Sequence, residues 1–521
     1  MCIVCGPNGA RFLHAIADRY AAAPLARSRF SADECPPPVM PPLDPNEIGE
    51  LAGSADVILR GGPILTFGAI PEAEAVAVKA GRIQFVGPVA DAMERRGRLT
   101  RVIDLDGRTL APGFVIADWH PPLSVLCDWC DLPAAPTAAM LAEALSRTIR
   151  AGREEWLIFR LDADQDALLD WVNLDLPPCP SPTIIIDRTG WILIANPAAR
   201  KLGASGAPTL TKDSRLTSPM HVSMLLPTLL KGVAASSEPL RRRMKTHLRE
   251  IAAHGVTTLR ICGLGTIGGA GDFATIRNIA DEQPGLRLRG AVDLPFALRA
   301  RDFDLEPGLG DDLCRIDTAS GWVDSFSENL AQDVRLARVG GWRVTLHAND
   351  ASGVDDALGI FEAASSDRFP YAEGDGLDCH IPPTPETANR LAVLGLSLGL
   401  TPKEETAEPR YEGWLQPARS IAVSCGLRAM AGAISPLDAA AAAIRGGSGA
   451  YAWGTALHGV TIGPAQRCGV GGILGSIETG KYADFVFLDS DPREVGADAM
   501  SAIRCLETWI AGREVANKVF R

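Results

Sequence analysis

The chain has 521 residues, with 63 acidic side chains against 51 basic ones and a formal net charge of −12. That acidic balance, with no long Lys/Arg stripe, excludes nucleic acid as the expected partner, and no apolar run reaches membrane length. The start Met1-Cys2-Ile3-Val4-Cys5 lacks a basic stretch leading into an apolar core, and the 12 cysteines are mostly scattered singly, so the chain reads as a soluble, cytoplasmic protein with reduced thiols.

In chain order, residues 1–50 form a leader, with a short helix over 10–23 and an irregular stretch at Cys35-Pro36-Pro37-Pro38. Short strands follow at Val57–Arg60, Ala75–Val78, Arg82–Val86 and Arg101–Leu105, with Ala80-Gly81 as a turn. A matching β piece closes the chain: a strand over Tyr482–Leu488, then a hairpin turning at Gly512. The middle alternates strands and helices. Strands are read at Thr183–Asp187, Gly255–Arg260, Leu286–Val292 and Trp342–His347, and helices at Leu240–Ala253, Val354–Phe361 and Ala439–Ala443. Apolar strands between helices indicate a parallel sheet covered on both faces. At this length a (β/α)8 barrel of the TIM type is favoured over an open sheet. The expected fold class is therefore α/β, a barrel with a small β-sandwich built from both terminal regions. Its divisions fall at 1–50 (leader), 51–110 (sandwich, first part), 111–464 (barrel) and 465–521 (sandwich, second part).

Barrel sites sit at the C-terminal ends of strands. An apolar run from Ala111-Pro112-Gly113-Phe114 ends in Asp118-Trp119-His120, an Asp and a His in alternate positions that can reach one point. His347 and His380 each close a strand-like run, and these are three of only 8 histidines. Asp118, His120, His347 and His380 are thus candidate ligands for Zn²⁺ first, with Mn²⁺ or Fe²⁺ as alternatives; inert polar caps on core strands are the competing reading. Asp324, Glu328 and Asp350 lie near the same rim in sequence terms, as candidates to move a proton or orient a ligand. Trp119, Trp129 and Trp191 are candidates to wall a substrate pocket, with core packing equally open. Cys2, Cys5, Cys127 and Cys130 form two CxxC pairs, a candidate second metal site against the default of ordinary thiols. The glycine-rich run Gly263–Gly271 lacks both the P-loop ending and the dinucleotide fingerprint, and reads as a rim loop.

Several motifs together resemble the amidohydrolase superfamily over residues 52–521, in the branch of N-substituted formamide deformylases. They are Ala55-Asp56 with Ile58-Leu59-Arg60-Gly61-Gly62, Asp104-Leu105-Asp106-Gly107-Arg108, Ala111-Pro112-Gly113-Phe114, Gly475–Asp484 and Ile510-Ala511-Gly512-Arg513. The resemblance implies a two-terminus β-sandwich and a barrel holding one or two divalent metals. It matches His347 and His380 to the ligands of the fifth and sixth strands. It also exposes departures. Asp118-Trp119-His120 stands where the family has His-x-His, Ile116 replaces an Asp that commonly precedes it, and Asp324 stands at the bridging Lys position. Ala433-Ile434 matches the Ser-Asp whose Asp activates water. The leading expectation is a metal-dependent hydrolase of a C–N bond in a small amide, lactam or cyclic imide, with Asp324 or Glu328 moving the proton. The alternatives are non-hydrolytic metal chemistry (isomerisation, ring rearrangement or decarboxylation) and an inactive scaffold or binding protein. The partner is a small-molecule substrate, and base rates favour a homodimer.

Overall fold

The computed structural model describes residues 53–119, 237–265, 271–282, 285–323, 329–348, 350–364, 374–379, 384–400, 435–444, 452–495 and 497–517, with shorter stretches at 130–216, 381 and 423–425. Two four-stranded sheets pack face to face. One orders Arg82–Gly87, Ala75–Lys79, Ala55–Arg60 and Arg96–Asp104; the other orders Arg513–Asn517, Cys505–Ile510, Phe485–Leu488 and Thr109–Pro112. Alternation along each strand supplies the shared core: Val57, Leu59, Val76, Val78 and Ile83 from the first sheet meet Leu110, Phe485, Phe487 and Trp509 from the second. Thr109–Pro112 pairs antiparallel with Phe485–Leu488, which joins the two terminal regions of the sequence. The hairpin turn at Ala511-Gly512 has φ of 48° and 71°, the left-handed pair that a tight hairpin needs.

Between these terminal strands runs a parallel sheet of eight strands. In chain order they are β1 (Phe114–Trp119), β2 (Val256–Leu264), β3 (Arg287–Asp293), β4 (Cys314–Trp322), β5 (Arg343–Ala348), β6 (Gly376–Cys379), β7 (Ser397–Leu400) and β8 (Val423–Cys425). Each pairs in parallel with the next, and β8 returns to lie against β1, so the sheet nearly closes into the expected barrel. Thr183–Asp187 is not one of its strands. It belongs to a separate five-stranded sheet that falls, in sequence, between β1 and β2. There it pairs in parallel with Leu157–Leu161 and antiparallel with Leu193–Ala195.

The two faces of the barrel wall differ sharply in chemistry. Leu259, Ile261, Leu288, Val292, Ile316, Val344, Leu346, Leu377 and Leu398 pack outward with Leu248, Ile251, Phe273, Val334, Phe361 and Leu391 of the surrounding helices. The alternate residues face inward and are polar: Arg260 and Cys262 on β2, Arg287 and Arg289 on β3, Asp317 on β4, Arg343 and His347 on β5, and Asp378 on β6. A barrel interior is ordinarily filled by branched apolar side chains, so this lining is a property of the chain's own sequence. Ion pairs hold it together. Arg343 meets Asp317 at 2.9 Å, and Arg287 grips Asp484 with two bonds of 2.7 and 3.1 Å. Asp484 also accepts the Ala511 amide at 2.8 Å, and the Tyr482 ring lies between the Arg82 and Arg287 guanidinium groups, each 4.0 Å away. The closing motif Tyr482-Ala483-Asp484 therefore clamps the sandwich to the base of β3. A short helix, α1 (Ile462–Arg467), and the turns after it close the interior beneath β1, where Val115 and Ala117 pack against Ala465, Cys468, Val470 and Leu474.

Candidate metal centre

β1 does not keep strict alternation to its end. Phe114 and Ile116 face the helices while Val115 and Ala117 face the interior, and continuing that pattern would turn Asp118 outward. The pairing with β2 shifts instead: Leu259 faces Ile116, but Ile261 faces Trp119, so β1 carries one extra residue at this point. Such a bulge reverses which residues point in. Asp118 consequently turns inward and is 9 % exposed, while Trp119 turns outward into the helix layer, fully buried and stacked on His247 of α2 (Ser237–Ala253) at 5.8 Å. His347 points in from β5, and Asp378 points in from β6 at the position paired with it.

Asp118, His347 and Asp378 each offer one ligand atom, and these atoms lie within 4.8 Å of one another. His347 Nδ1 is 3.6 Å from an Asp378 oxygen, and the Trp322 ring stacks on the imidazole at 4.6 Å. Two carboxylates and an imidazole, all buried, form a nitrogen–oxygen donor set suited to Zn²⁺, Mn²⁺ or Fe²⁺. The Cys262 thiol donates to Asp118 Oδ1 at 3.5 Å. Burial, and next the Asp118 charge, push that thiol well above its ordinary range, so it stays a neutral S–H donor.

Beneath the cluster lies a layer of positive charge. Arg467, reaching up from α1 with its side chain wholly buried, contacts Asp378 at 2.6 Å, and Arg260 approaches the other Asp378 oxygen at 3.9 Å. Arg260 also donates to the Arg467 carbonyl at 3.2 Å, and Arg467 Nε to Ser397 Oγ at 3.3 Å. Gly399 on β7 makes room for this contact: a Cβ there would sit 1.7 Å from Asp378 Oδ1 and 2.0 Å from Arg467 Nη1.

Of the ligands expected from sequence, Asp118 and His347 are brought together. His120 and His380 lie outside the described residues, as do Asp324, Glu328, Trp129, Trp191, Cys2, Cys5 and Cys127; Cys130 begins a strand of the five-stranded sheet, and its side chain lies outside the described residues. Asp350, at the start of the helix Ala351–Ala364, accepts the Gly353 amide at 2.9 Å, as a turn residue does. Asp378 is the member that sequence reasoning missed. Its signal was there: an acid between Leu377 and Cys379, both of which face the apolar helix layer.

Among curated proteins, the chain is 27 % identical to an adenine deaminase of Ruegeria sp. (strain TM1040) over 209 residues, 38 % of this chain and 33 % of the relative. The alignment thus spans about a third of that relative's length. Among solved structures it superposes on an uncharacterized metal-dependent hydrolase from Pyrococcus furiosus with a TM-score of 0.66 at 17 % identity, covering 84 % of this chain and 100 % of that one. It also superposes on an atrazine chlorohydrolase from Arthrobacter aurescens TC1, solved with zinc and atraton, with a TM-score of 0.51 at 15 % identity and coverage of 89 % and 97 %. At these identities the likeness is one of fold. The sequence profile of the amidohydrolase family matches residues 101–516, most of the chain, and the chain belongs to that family.

Proposed function

We propose that this chain is a metal-dependent hydrolase acting on a C–N bond of a small amide, lactam or cyclic imide. The observation that carries the reading is the convergence of Asp118, His347 and Asp378 inside the barrel of an amidohydrolase-family chain. The deaminase and metal-dependent hydrolase descriptions of similar proteins support C–N chemistry as the class to test. Asp118, His347 and Asp378 would hold the ion, together with His120 and His380 from the sequence reading, and Zn²⁺ is the first candidate. A divalent ion held there supplies a Lewis acid that polarises a carbonyl and makes water more acidic.

The residues divide the remaining work. Cys262 keeps one Asp118 oxygen hydrogen-bonded, which fixes the carboxylate's rotation. Trp322 covers a face of His347 and excludes water from it. Asp378, anchored from below by Arg467, holds its second oxygen toward His347 Nδ1 and limits rotation of that ring. Asp324 or Glu328 would take the proton from water and return it to the leaving nitrogen.

Metal content of tag-free protein, measured by plasma mass spectrometry beside His347→Ala and Asp118→Ala, tests the centre. Amine or ammonia release from amides and aminopurines, and formation of the ring-opened acid from lactams and cyclic imides, tests the chemistry. The reading expects about one or more equivalents of metal, lost in both variants, and turnover that follows the metal. Metal without hydrolysis of any of these substrates would favour non-hydrolytic chemistry. Wild-type protein without metal, taking up none of Zn²⁺, Mn²⁺ or Fe²⁺, would leave the scaffold reading.

A further inference from the structure

Three neighbouring barrel strands carry an arginine at the same level. Arg260 on β2 pairs in register with Arg289 on β3, and Arg289 pairs in register with Arg315 on β4. Adjacent strands are about 4.8 Å apart, so like charges set side by side on one face repel. Arg260 has outlets in the Arg467 carbonyl and Asp378. Arg289 has none of that kind. It is 1 % exposed, and its Nε, Nη1 and Nη2 are all buried without a hydrogen bond among the described residues. Arg315 Nε is buried in the same state.

None of the three near groups neutralises Arg289: Asp312 attracts it least and already accepts the Tyr482 hydroxyl. Asp317 attracts it, but that carboxylate is already engaged by Arg343 at 2.9 Å and by the Thr318 hydroxyl at 2.9 Å. Cys468 faces it from the closing turn, and burial raises that thiol's pKa, so the sulfur carries no charge. A guanidinium does not escape by losing its proton. A buried cation without a counter-charge is among the costliest arrangements a core can hold. A small anion between the three side chains removes the cost, because each guanidinium presents planar N–H donors to it and the repulsion along the row becomes shared attraction.

We propose that the barrel interior binds a small monovalent inorganic anion at Arg289, between Arg260 and Arg315 and on the N-terminal side of the Asp118–His347–Asp378 cluster. The site is separate from the candidate metal centre and is a structural ligand of the fold.

The test uses the full chain, dialysed into sodium gluconate and compared with sodium chloride and sodium bromide at equal ionic strength. Thermal unfolding should shift up by at least about 2 °C in either halide, and Arg289→Met should abolish the difference between salts. Crystals of the wild-type protein grown in bromide should show an anomalous peak within hydrogen-bond distance of the Arg289 guanidinium. That peak decides the matter even if the variant does not fold. Equal melting temperatures in the three salts, a halide shift that persists in Arg289→Met, or bromide-grown crystals with only ordered water beside Arg289 would each overturn the proposal. Because the readouts are melting and anomalous scattering, the result does not depend on whether metal or turnover is found.

Discussion

Replacing Asp378 by Asn probes the joint between the candidate centre and the arginine layer. The substitution keeps the side chain's size and removes its charge. In the native protein Asp378 is 4 % exposed and touches Arg467, whose side chain is wholly buried, at 2.6 Å, with Arg260 at 3.9 Å. Losing the carboxylate removes the counter-charge that two cations share in the interior, Arg467 still donating to Ser397 Oγ at 3.3 Å. Breaking one side of a buried pair typically costs about 3–5 kcal/mol, a large part of the roughly 5–15 kcal/mol that holds a domain together. Urea unfolding followed by circular dichroism measures it, and an unchanged m value would show that the effect lies in the folded state. Arg467→Met should cost a similar amount, since it strands the Asp378 charge beside His347. The double variant Asp378→Asn/Arg467→Met should be more stable than the sum of the singles by at least about 1.5 kcal/mol, because the two losses share one interaction. Singles costing under about 1 kcal/mol, or a double variant that is simply additive, would refute the idea that the pair carries the load.

Three further outcomes follow from separate places in the molecule. Asp484→Asn should destabilise by about 3–5 kcal/mol by leaving Arg287 unpaired at the sandwich–barrel clamp, and adding Arg287→Met should restore much of that in the same unfolding assay. Gly399→Ala should cost about 1–3 kcal/mol, because its Cβ would overlap Asp378 and Arg467, and the crystal structure of the variant should show their contact lengthened. Burial lowers the His247 pKa below its ordinary value of 6.5, with Glu250 partly opposing. The unfolded chain therefore takes up the proton first, so the ring's contribution is present above pH 6.5 and lost as pH falls through the lower folded value. His247→Phe should flatten that part of the stability–pH curve, and an unchanged slope would show that another group produces it.

How far the sequence could be read depended on whether a feature was local. The terminal strands and the Gly512 hairpin are short alternating runs ending in turn residues, and they form where expected. The closing motif was visible as a pattern, but its work at Arg287 requires the barrel. Thr183–Asp187 misled because a continuous apolar strand suits a barrel and a smaller sheet equally; only its partners separate the two. The inward turn of Asp118 rests on an extra residue in β1, and a bulge exists only against a neighbouring strand. Asp378, Cys262 and Arg467 arrive from β6, β2 and α1, far apart in sequence. Each looks ordinary alone: an acid in a short strand, a small thiol, a basic residue at a helix end. The charged interior left only that alternation in the sequence, since inward arginines between Leu and Val read as amphipathic strands.

That interior also bears on how the two aspartates of the centre differ as donors. Asp378 sits directly against one guanidinium and near a second, and both draw on its negative charge. Asp118 accepts the neutral Cys262 thiol and is coupled to Arg260 less strongly than Asp378 is, a weaker demand on its charge. A carboxylate neutralised by arginine is a poorer partner for a divalent cation than one that keeps its charge, because the cation must compete with a fixed positive neighbour. Asp118 should therefore contribute more of the metal affinity than Asp378, although both donors lie in the same 4.8 Å cluster. Competition with a chelator of known affinity, run on Asp118→Asn and Asp378→Asn, measures the difference. The expected order is a loss at Asp118 at least about tenfold larger than at Asp378, or about 1.4 kcal/mol. Adding Arg467→Met to the wild type should raise affinity at Asp378 by freeing its charge. Equal losses at the two aspartates, with no gain from Arg467→Met, would mean that the arginine layer supports the fold without tuning the centre above it.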